Sequence, residues 1–107
     1  MADIRTMYQE AFDAFLREDY AEAVRGYLAT IDEDESFVLA YQGLAEVYSR
    51  MDALDEAIET IKKAIDLDPE ESLYHTSLSR FLQRQGKIPE AEEVAAEAAR
   101  LQSRSAL

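Results

Sequence analysis

Apolar side chains recur along this chain at intervals of three and four residues. The clearest run lies near the middle, at Leu44, Ala45, Tyr48 and Met51 and then at Ala57, Ile58, Ile61, Ala64 and Ile65. Residues spaced in this way cover one face of an α-helix. Short polar turns separate the runs. The pattern therefore predicts six helices, near residues 3–17, 20–33, 37–50, 54–67, 70–85 and 89–102.

Proline and glycine predict several helix ends. In the segment Asp68-Pro69-Glu70-Glu71, Asp68 is the expected N-cap of the fifth helix and Pro69 its first residue, because proline's fixed φ suits that position. Pro89 is expected to begin the sixth helix in the same way. Gly86 suits the left-handed residue that follows a helix C-terminus. Only residues 103–107 follow the sixth predicted helix, too few for another.

The sequence matches itself when it is shifted by 34 residues. The dipeptides Glu22-Ala23, Glu56-Ala57 and Glu90-Ala91 show the interval most clearly, and no insertion interrupts it. A fixed period of this length predicts a repeat architecture. We expect one domain over residues 1–107, divided into helix-turn-helix units at about 4–37, 38–71 and 72–105.

Small residues at matching positions predict close packing within each unit. The first helices carry Ala11, Ala45 and Ser79, which are expected to face Ala23, Ala57 and Ala91 in the second helices. Larger residues, Tyr27 and Ile61 among them, are expected to fill the space beside these contacts. One helix pair cannot bury its apolar face alone, whereas three stacked pairs can.

The second unit resembles the tetratricopeptide repeat. It carries the pattern Tyr41, Leu44-Ala45, Tyr48, Ala57, Ile61, Ala64 and Pro69. The first unit departs from the pattern at Glu10 and Glu35, and the third at Ser79, Ala95 and Ser103. The resemblance covers about residues 4–103. It implies an all-α fold, a right-handed α-solenoid of three repeats, with a concave groove lined by the first helix of each unit.

The concave groove is the predicted binding site. Family geometry and helical phase together give eight peptide-binding candidates: Tyr8, Phe12, Gln42, Glu46, Arg50, Leu73, Arg80 and Arg84. Tyr8 and Phe12 form an aromatic end, and the three arginines form a basic end. Exposed aromatic and arginine side chains are the types that most often anchor a partner. A peptide with an apolar anchor and an acidic tail would fit both ends.

A structural role for the same side chains is the alternative. The aromatic residues would then pack against neighbouring helices, and the arginines would offset the nearby carboxylates of Glu46 and Glu90.

Charge narrows the class of partner. The chain of 107 residues has a net charge of −12, divided as −7, −6 and +1 over residues 1–37, 38–71 and 72–107. Nucleic acids and anionic membranes would be repelled, so a protein or peptide is the expected partner. No N-terminal signal and no apolar run of about 20 residues is present, and cysteine is absent. We therefore expect a cytoplasmic protein.

Residues for catalysis or metal binding are scarce. His75 is the single histidine, and with no cysteine it has no second soft ligand for a metal site. We expect it to pack between helices. The acidic run Asp32-Glu33-Asp34-Glu35 lacks the spaced ligands and glycine of a calcium loop. We therefore expect no enzyme activity, no metal and no cofactor.

The expected function is that of a protein-interaction module, which holds a peptide or helix of a partner in its groove. One alternative is an assembly protein that associates with itself through its ends; another is a chaperone-like adaptor for an apolar client segment. We expect a monomer, with a homo-oligomer as the alternative. Family members that grip the acidic C-termini of heat-shock chaperones share a Lys/Asn/Arg clamp. The matching positions here are Tyr8, Phe12, Gly43, Leu73 and Ser77, which lack that chemistry.

Overall fold

The computed structural model describes residues 3–106, and these residues form six α-helices. The helices are α1 (Ile4–Leu16), α2 (Tyr20–Glu33), α3 (Val38–Arg50), α4 (Leu54–Leu67), α5 (Ser72–Arg84) and α6 (Ile88–Ser105). Each predicted helix is present, in the predicted order. No helix within residues 3–106 is both long enough and apolar enough to cross a bilayer.

The helices pack as three successive hairpins. Contacts are densest within the pairs α1/α2, α3/α4 and α5/α6, and α2/α3 and α4/α5 join neighbouring pairs. The stack measures 42 × 31 × 20 Å. This arrangement confirms the predicted α-solenoid.

The small residues of the helix pairs are buried, as the sequence predicted. Ala11, Ala23, Ala45 and Ala57 are at most 2% exposed. In the third pair Ser79 replaces alanine, and its Oγ donates a hydrogen bond of 2.8 Å to the carbonyl of Ala91. The hydroxyl is therefore satisfied at a buried position, where an unpaired polar group would be costly.

The apolar core of the stack consists of two clusters, which Tyr48 joins. The α1, α2 and α3 part of the core includes Tyr27 and Leu44, and the part between α3 and α6 includes Ile61 and Phe81. Tyr48 packs against both parts. The pairs therefore stabilise one another, as expected for stacked repeats.

The turn inside each hairpin has the same backbone geometry. Glu18, Asp52 and Gly86 stand one repeat apart and have φ of 62°, 61° and 80°. In each turn the next residue's N–H bonds to the carbonyl five residues earlier, at 2.8–3.0 Å. This is the Schellman motif, which favours glycine at the left-handed position. The prediction for Gly86 is confirmed, and two non-glycine residues adopt the same conformation.

Glu18→Gly is expected to raise the free energy of unfolding by about 0.5–1 kcal/mol. A left-handed φ costs a non-glycine residue about 1–2 kcal/mol, and the greater chain entropy that glycine loses on folding offsets about 0.5–1 kcal/mol of this gain. Urea denaturation measures the change. Gly86→Ala is the matched control and should lose a similar amount. A loss of stability in Glu18→Gly would contradict the strain argument.

The predicted start of the fifth helix is wrong. Asp68 ends α4, since its N–H bonds to the carbonyl of Ala64 at 2.9 Å. Pro69 lies in the turn, and Glu71 is the N-cap of α5, its side chain accepting a hydrogen bond from the Leu73 N–H at 3.2 Å. Proline's fixed φ suits a turn as well as a first helical turn. The conformation of Pro69 was therefore ambiguous from sequence.

The sixth helix begins at Ile88, one residue before the predicted start, with Pro89 in its first turn, and it ends at Ser105 rather than near residue 102. Its added turn carries Arg104, whose Nη2 lies 2.5 Å from Oε1 of Glu70. Positively charged side chains favour the C-terminal end of a helix. Most of the segment that was expected to follow the sixth helix therefore belongs to it.

Candidate peptide-binding groove

A cleft of about 200 Å³ lies between α1 and α3, and it brings five of the eight predicted binding residues together. Its lining consists of Tyr8, Phe12, Phe15, Tyr27, Gln42, Gly43, Glu46 and Arg50. The predicted aromatic end therefore meets Arg50 within one cleft.

The floor of the cleft is Tyr27, which the sequence assigned only to packing. Its side chain comes from α2 and is 1% exposed. A Cβ atom at Gly43 would lie 2.5 Å from Cζ of this ring. Only glycine at position 43 lets the ring take its place beneath the cleft. The signal in the sequence was a glycine inside a helix, which often marks a close approach of another group.

Aromatic contacts hold the wall of the cleft. The ring of Tyr8 lies 5.8 Å from that of Tyr27 and 5.6 Å from that of Phe37. Burial raises the pKa of both Tyr8 and Tyr27 above the usual value for tyrosine. Phe12 stacks on Phe15 with ring centroids 6.4 Å apart and keeps 37% of its surface exposed. Tyr8 is thus largely a packing residue, whereas Phe12 is available to a ligand.

The three predicted arginines differ in their contacts. Arg50 lies over the ring of Phe15, 5.2 Å from the centroid, and makes no ion pair within residues 3–106. Nη2 of Arg80 lies 2.6 Å from Oε1 of Glu46. The contact of Arg50 with Phe15 leaves the charge of Arg50 available in the groove. The pair of Arg80 with Glu46 supports the alternative, in which arginines neutralise carboxylates.

Arg84 is also held by groups of this chain. Its Nη1 donates to Oγ of Ser49 at 2.5 Å and to the Ser49 carbonyl at 3.1 Å, and its Nη2 lies 3.0 Å from Oδ1 of Asp52. Its acidic partner is therefore Asp52, which is neither of the two carboxylates, Glu46 and Glu90, that the structural alternative named for the arginines. Arg84 ties α5 to the end of α3, and it offers less charge to a ligand than the sequence suggested.

The groove continues beyond Tyr8. A second depression of about 340 Å³ is lined by Ile4, Arg5, Tyr8, Gln9, Phe37 and Leu39. Phe37 was not predicted there; the sequence placed it at the start of the third helix, whereas the structure makes it the N-cap of α3. Leu73, the remaining predicted residue, lies outside both cavities on α5 and is 52% exposed.

His75 has a structural contact. Its Nε2 donates to the carbonyl of Pro69 at 2.9 Å, and one repeat earlier the Tyr41 hydroxyl donates to the carbonyl of Glu35 at 2.8 Å. Both contacts tie the first helix of a repeat to the turn before it. Within residues 3–106, no three or more His, Cys, Asp or Glu side chains are grouped so as to hold a metal ion.

The family model of the tetratricopeptide repeat matches residues 14–81. The chain belongs to the tetratricopeptide repeat family. The resemblance that was seen in the second unit is thereby confirmed. Proteins built of these repeats bind other proteins, and the chain is accordingly a protein-interaction module.

Individual relatives agree with this assignment. Hsp70-Hsp90 organizing protein 3 of Arabidopsis thaliana is 36% identical over 55 residues, which are 51% of this chain and 10% of that protein. The chain therefore spans about a tenth of the length of this curated relative.

Solved structures of tetratricopeptide type have the same fold. Residues 41-end of MamA from Desulfovibrio magneticus RS-1 superimpose with a TM-score of 0.90 at 26% identity, covering 94% of this chain and 57% of that one. The Yersinia enterocolitica type III secretion translocator chaperone SycD gives a TM-score of 0.90 at 22% identity, with 94% and 76% covered. At 22% identity, the likeness to SycD shows a shared fold alone.

Proposed function

We propose that this chain binds a segment of a partner protein in the groove formed by α1, α3 and α5. The observation that carries the proposal is the cleft between α1 and α3, where the exposed Phe12 stands over a floor made by the buried Tyr27. Large aromatic side chains around a rigid pocket are typical of the centre of a binding interface.

The size of the cleft supports a peptide over a small molecule. Sites for small molecules usually enclose about 300–1,000 Å³, whereas this cleft holds about 200 Å³. It fits one large side chain of a longer ligand. The net charge of −12 disfavours nucleic acid and anionic membrane as ligands. The proposal includes no catalytic step, metal or cofactor.

The named relatives suggest two narrower functions. The Arabidopsis protein is a heat-shock-chaperone organiser by name, but positions Gly43, Leu73 and Ser77 of this chain lack the clamp of members that hold chaperone C-termini. SycD is a secretion chaperone and one of its structures is described as a dimer. Two functions therefore remain predictions for this chain: that of a chaperone-like adaptor for an apolar client, and self-association.

Phe12→Ala is expected to reduce capture of the partner from a lysate of the source cell by at least about tenfold, because it removes the exposed aromatic side of the cleft. Leu28→Ala is the matched control. Leu28 is 46% exposed. It lines a different depression, together with Ile31 of α2 and Lys63 of α4. Quantitative mass spectrometry of the captured proteins measures the effect, and circular dichroism verifies that both variants are folded.

The opposite dependence would overturn the proposal. If Leu28→Ala abolished capture and Phe12→Ala did not, the groove would not be the binding surface. Sedimentation equilibrium of the same samples tests self-association. A stable oligomer that captures no other protein would favour the assembly function.

A further inference from the structure

We propose that the groove recognises an extended segment of the partner in which a large apolar side chain is followed or preceded, within a residue or two, by Asp or Glu. The apolar side chain occupies the cleft between α1 and α3, and the carboxylate pairs with Arg50. This inference rests on the proposed function and names the chemistry of the ligand.

The cleft selects the apolar side chain. Four of its eight lining residues are aromatic, and the pair Tyr8 and Tyr27 is held by ring contacts. A pocket that is already formed binds with little loss of side-chain freedom. Its volume of about 200 Å³ admits a side chain such as Leu, Met or Phe.

Arg50 selects the carboxylate. The ring of Phe15 supports its guanidinium from one side, and no carboxylate within residues 3–106 pairs with it. A guanidinium stacked on a ring keeps its planar set of N–H donors, which matches the two oxygens of a carboxylate. Arg50 thus provides a positive charge, held in place, at the edge of an apolar pocket.

The neighbouring Glu46 does not block this site. It is a member of the same cleft, and a free carboxylate there would repel an acidic ligand and attract Arg50. Its Oε1 lies 2.6 Å from Nη2 of Arg80, so α5 supplies the charge that neutralises it. Arg80 therefore favours ligand binding without contacting the ligand.

The length of the groove fits an extended segment of several residues. Leu39 lies in the adjoining depression, and Arg50 is eleven residues further along α3. This separation is about 17 Å along the helix, which about five extended residues span. A bound chain therefore has room for several residues on the Leu39 side of the apolar anchor.

Selection from a phage-displayed library of random linear peptides tests the inference. The enriched peptides themselves then serve as the probes. They are synthesised with an amidated C-terminus so that only their side chains contribute carboxylates. Wild type is expected to enrich peptides with Leu, Met or an aromatic residue close to Asp or Glu. Arg50→Gln should weaken their binding by at least about tenfold, as loss of a charged hydrogen-bonded pair does. Arg50→Lys should restore part of it.

Arg25→Gln is the control for net charge. Arg25 lies on α2, where it pairs with Glu22 at 2.6 Å, and its loss removes the same charge away from the groove. It should change the affinity by less than about twofold. If peptides bind through Phe12 but show no acidic preference, or bind Arg50→Gln equally well, the inference is wrong and the proposed function stands. If wild type enriches no peptide that Phe12→Ala fails to bind, both are wrong.

Discussion

Tyr27→Ala is expected to lower the free energy of unfolding by about 3–5 kcal/mol, the range found when a large buried aromatic side chain is truncated. Tyr27 is 1% exposed and belongs to the core of α1, α2 and α3. Removing its ring leaves a cavity beneath the cleft, which Gly43 has no side chain to fill. Since small domains are stable by about 5–15 kcal/mol in total, the loss would be a large part of the whole.

Urea denaturation followed by circular dichroism measures this effect. Tyr27→Phe is the control because it keeps the ring, and it should cost less than about 1.5 kcal/mol. If Tyr27→Ala cost no more than Tyr27→Phe, the ring would not be a supporting element of the first two repeats.

Gly26→Ala is expected to lower the free energy of unfolding by about 1–2 kcal/mol. A Cβ atom at Gly26 would lie 2.7 Å from Cβ and 3.2 Å from Cα of Ala11, so α1 and α2 would have to move apart. Overpacking of this kind costs about 1–3 kcal/mol, and alanine's greater helix propensity offsets up to about 1 kcal/mol of it.

A double-mutant cycle isolates the steric contribution. In Gly26→Ala/Ala11→Gly the methyl group moves from one helix to the other, and the clash is absent. The double variant should therefore be more stable than the sum of the two single changes predicts, by at least about 1 kcal/mol. Strict additivity would show that the two helices adjust to the extra methyl group without cost.

The number and order of the helices could be predicted from the sequence, because the helical spacing and the 34-residue period arise from contacts between residues that lie near one another in the chain. Helix ends were harder wherever a residue suits two conformations. Pro69 fits both a turn and a first helical turn, and the structure places it in the turn before Ser72. At the C-terminus of the chain, α6 continues to Ser105, through a turn that no local signal predicted and in which Arg104 pairs with Glu70.

Many of the residues that line the candidate groove could be predicted from the sequence, but the pairs that their side chains form could not. Helical phase places a residue on a face, and on this basis Phe12 and Arg50 were expected to line the groove. Helical phase does not predict which residue a long side chain contacts. Arg80 and Arg84 each reach back to α3 or its C-terminal turn, to partners 32–35 residues earlier in the chain. Tyr27 was not expected to line the groove because it arrives there from the second helix of its pair.

The ion pair between Glu46 and Arg80 joins the same position of two successive repeats, since the residues are 34 apart. Glu70 and Arg104 do the same at another position. A tandem copy of the second repeat would therefore set one glutamate against another at the first position, and a copy of the third would oppose two arginines. Like charges held this close repel each other. Duplication of either unit would therefore lose an ion pair at each new junction and place like charges side by side there.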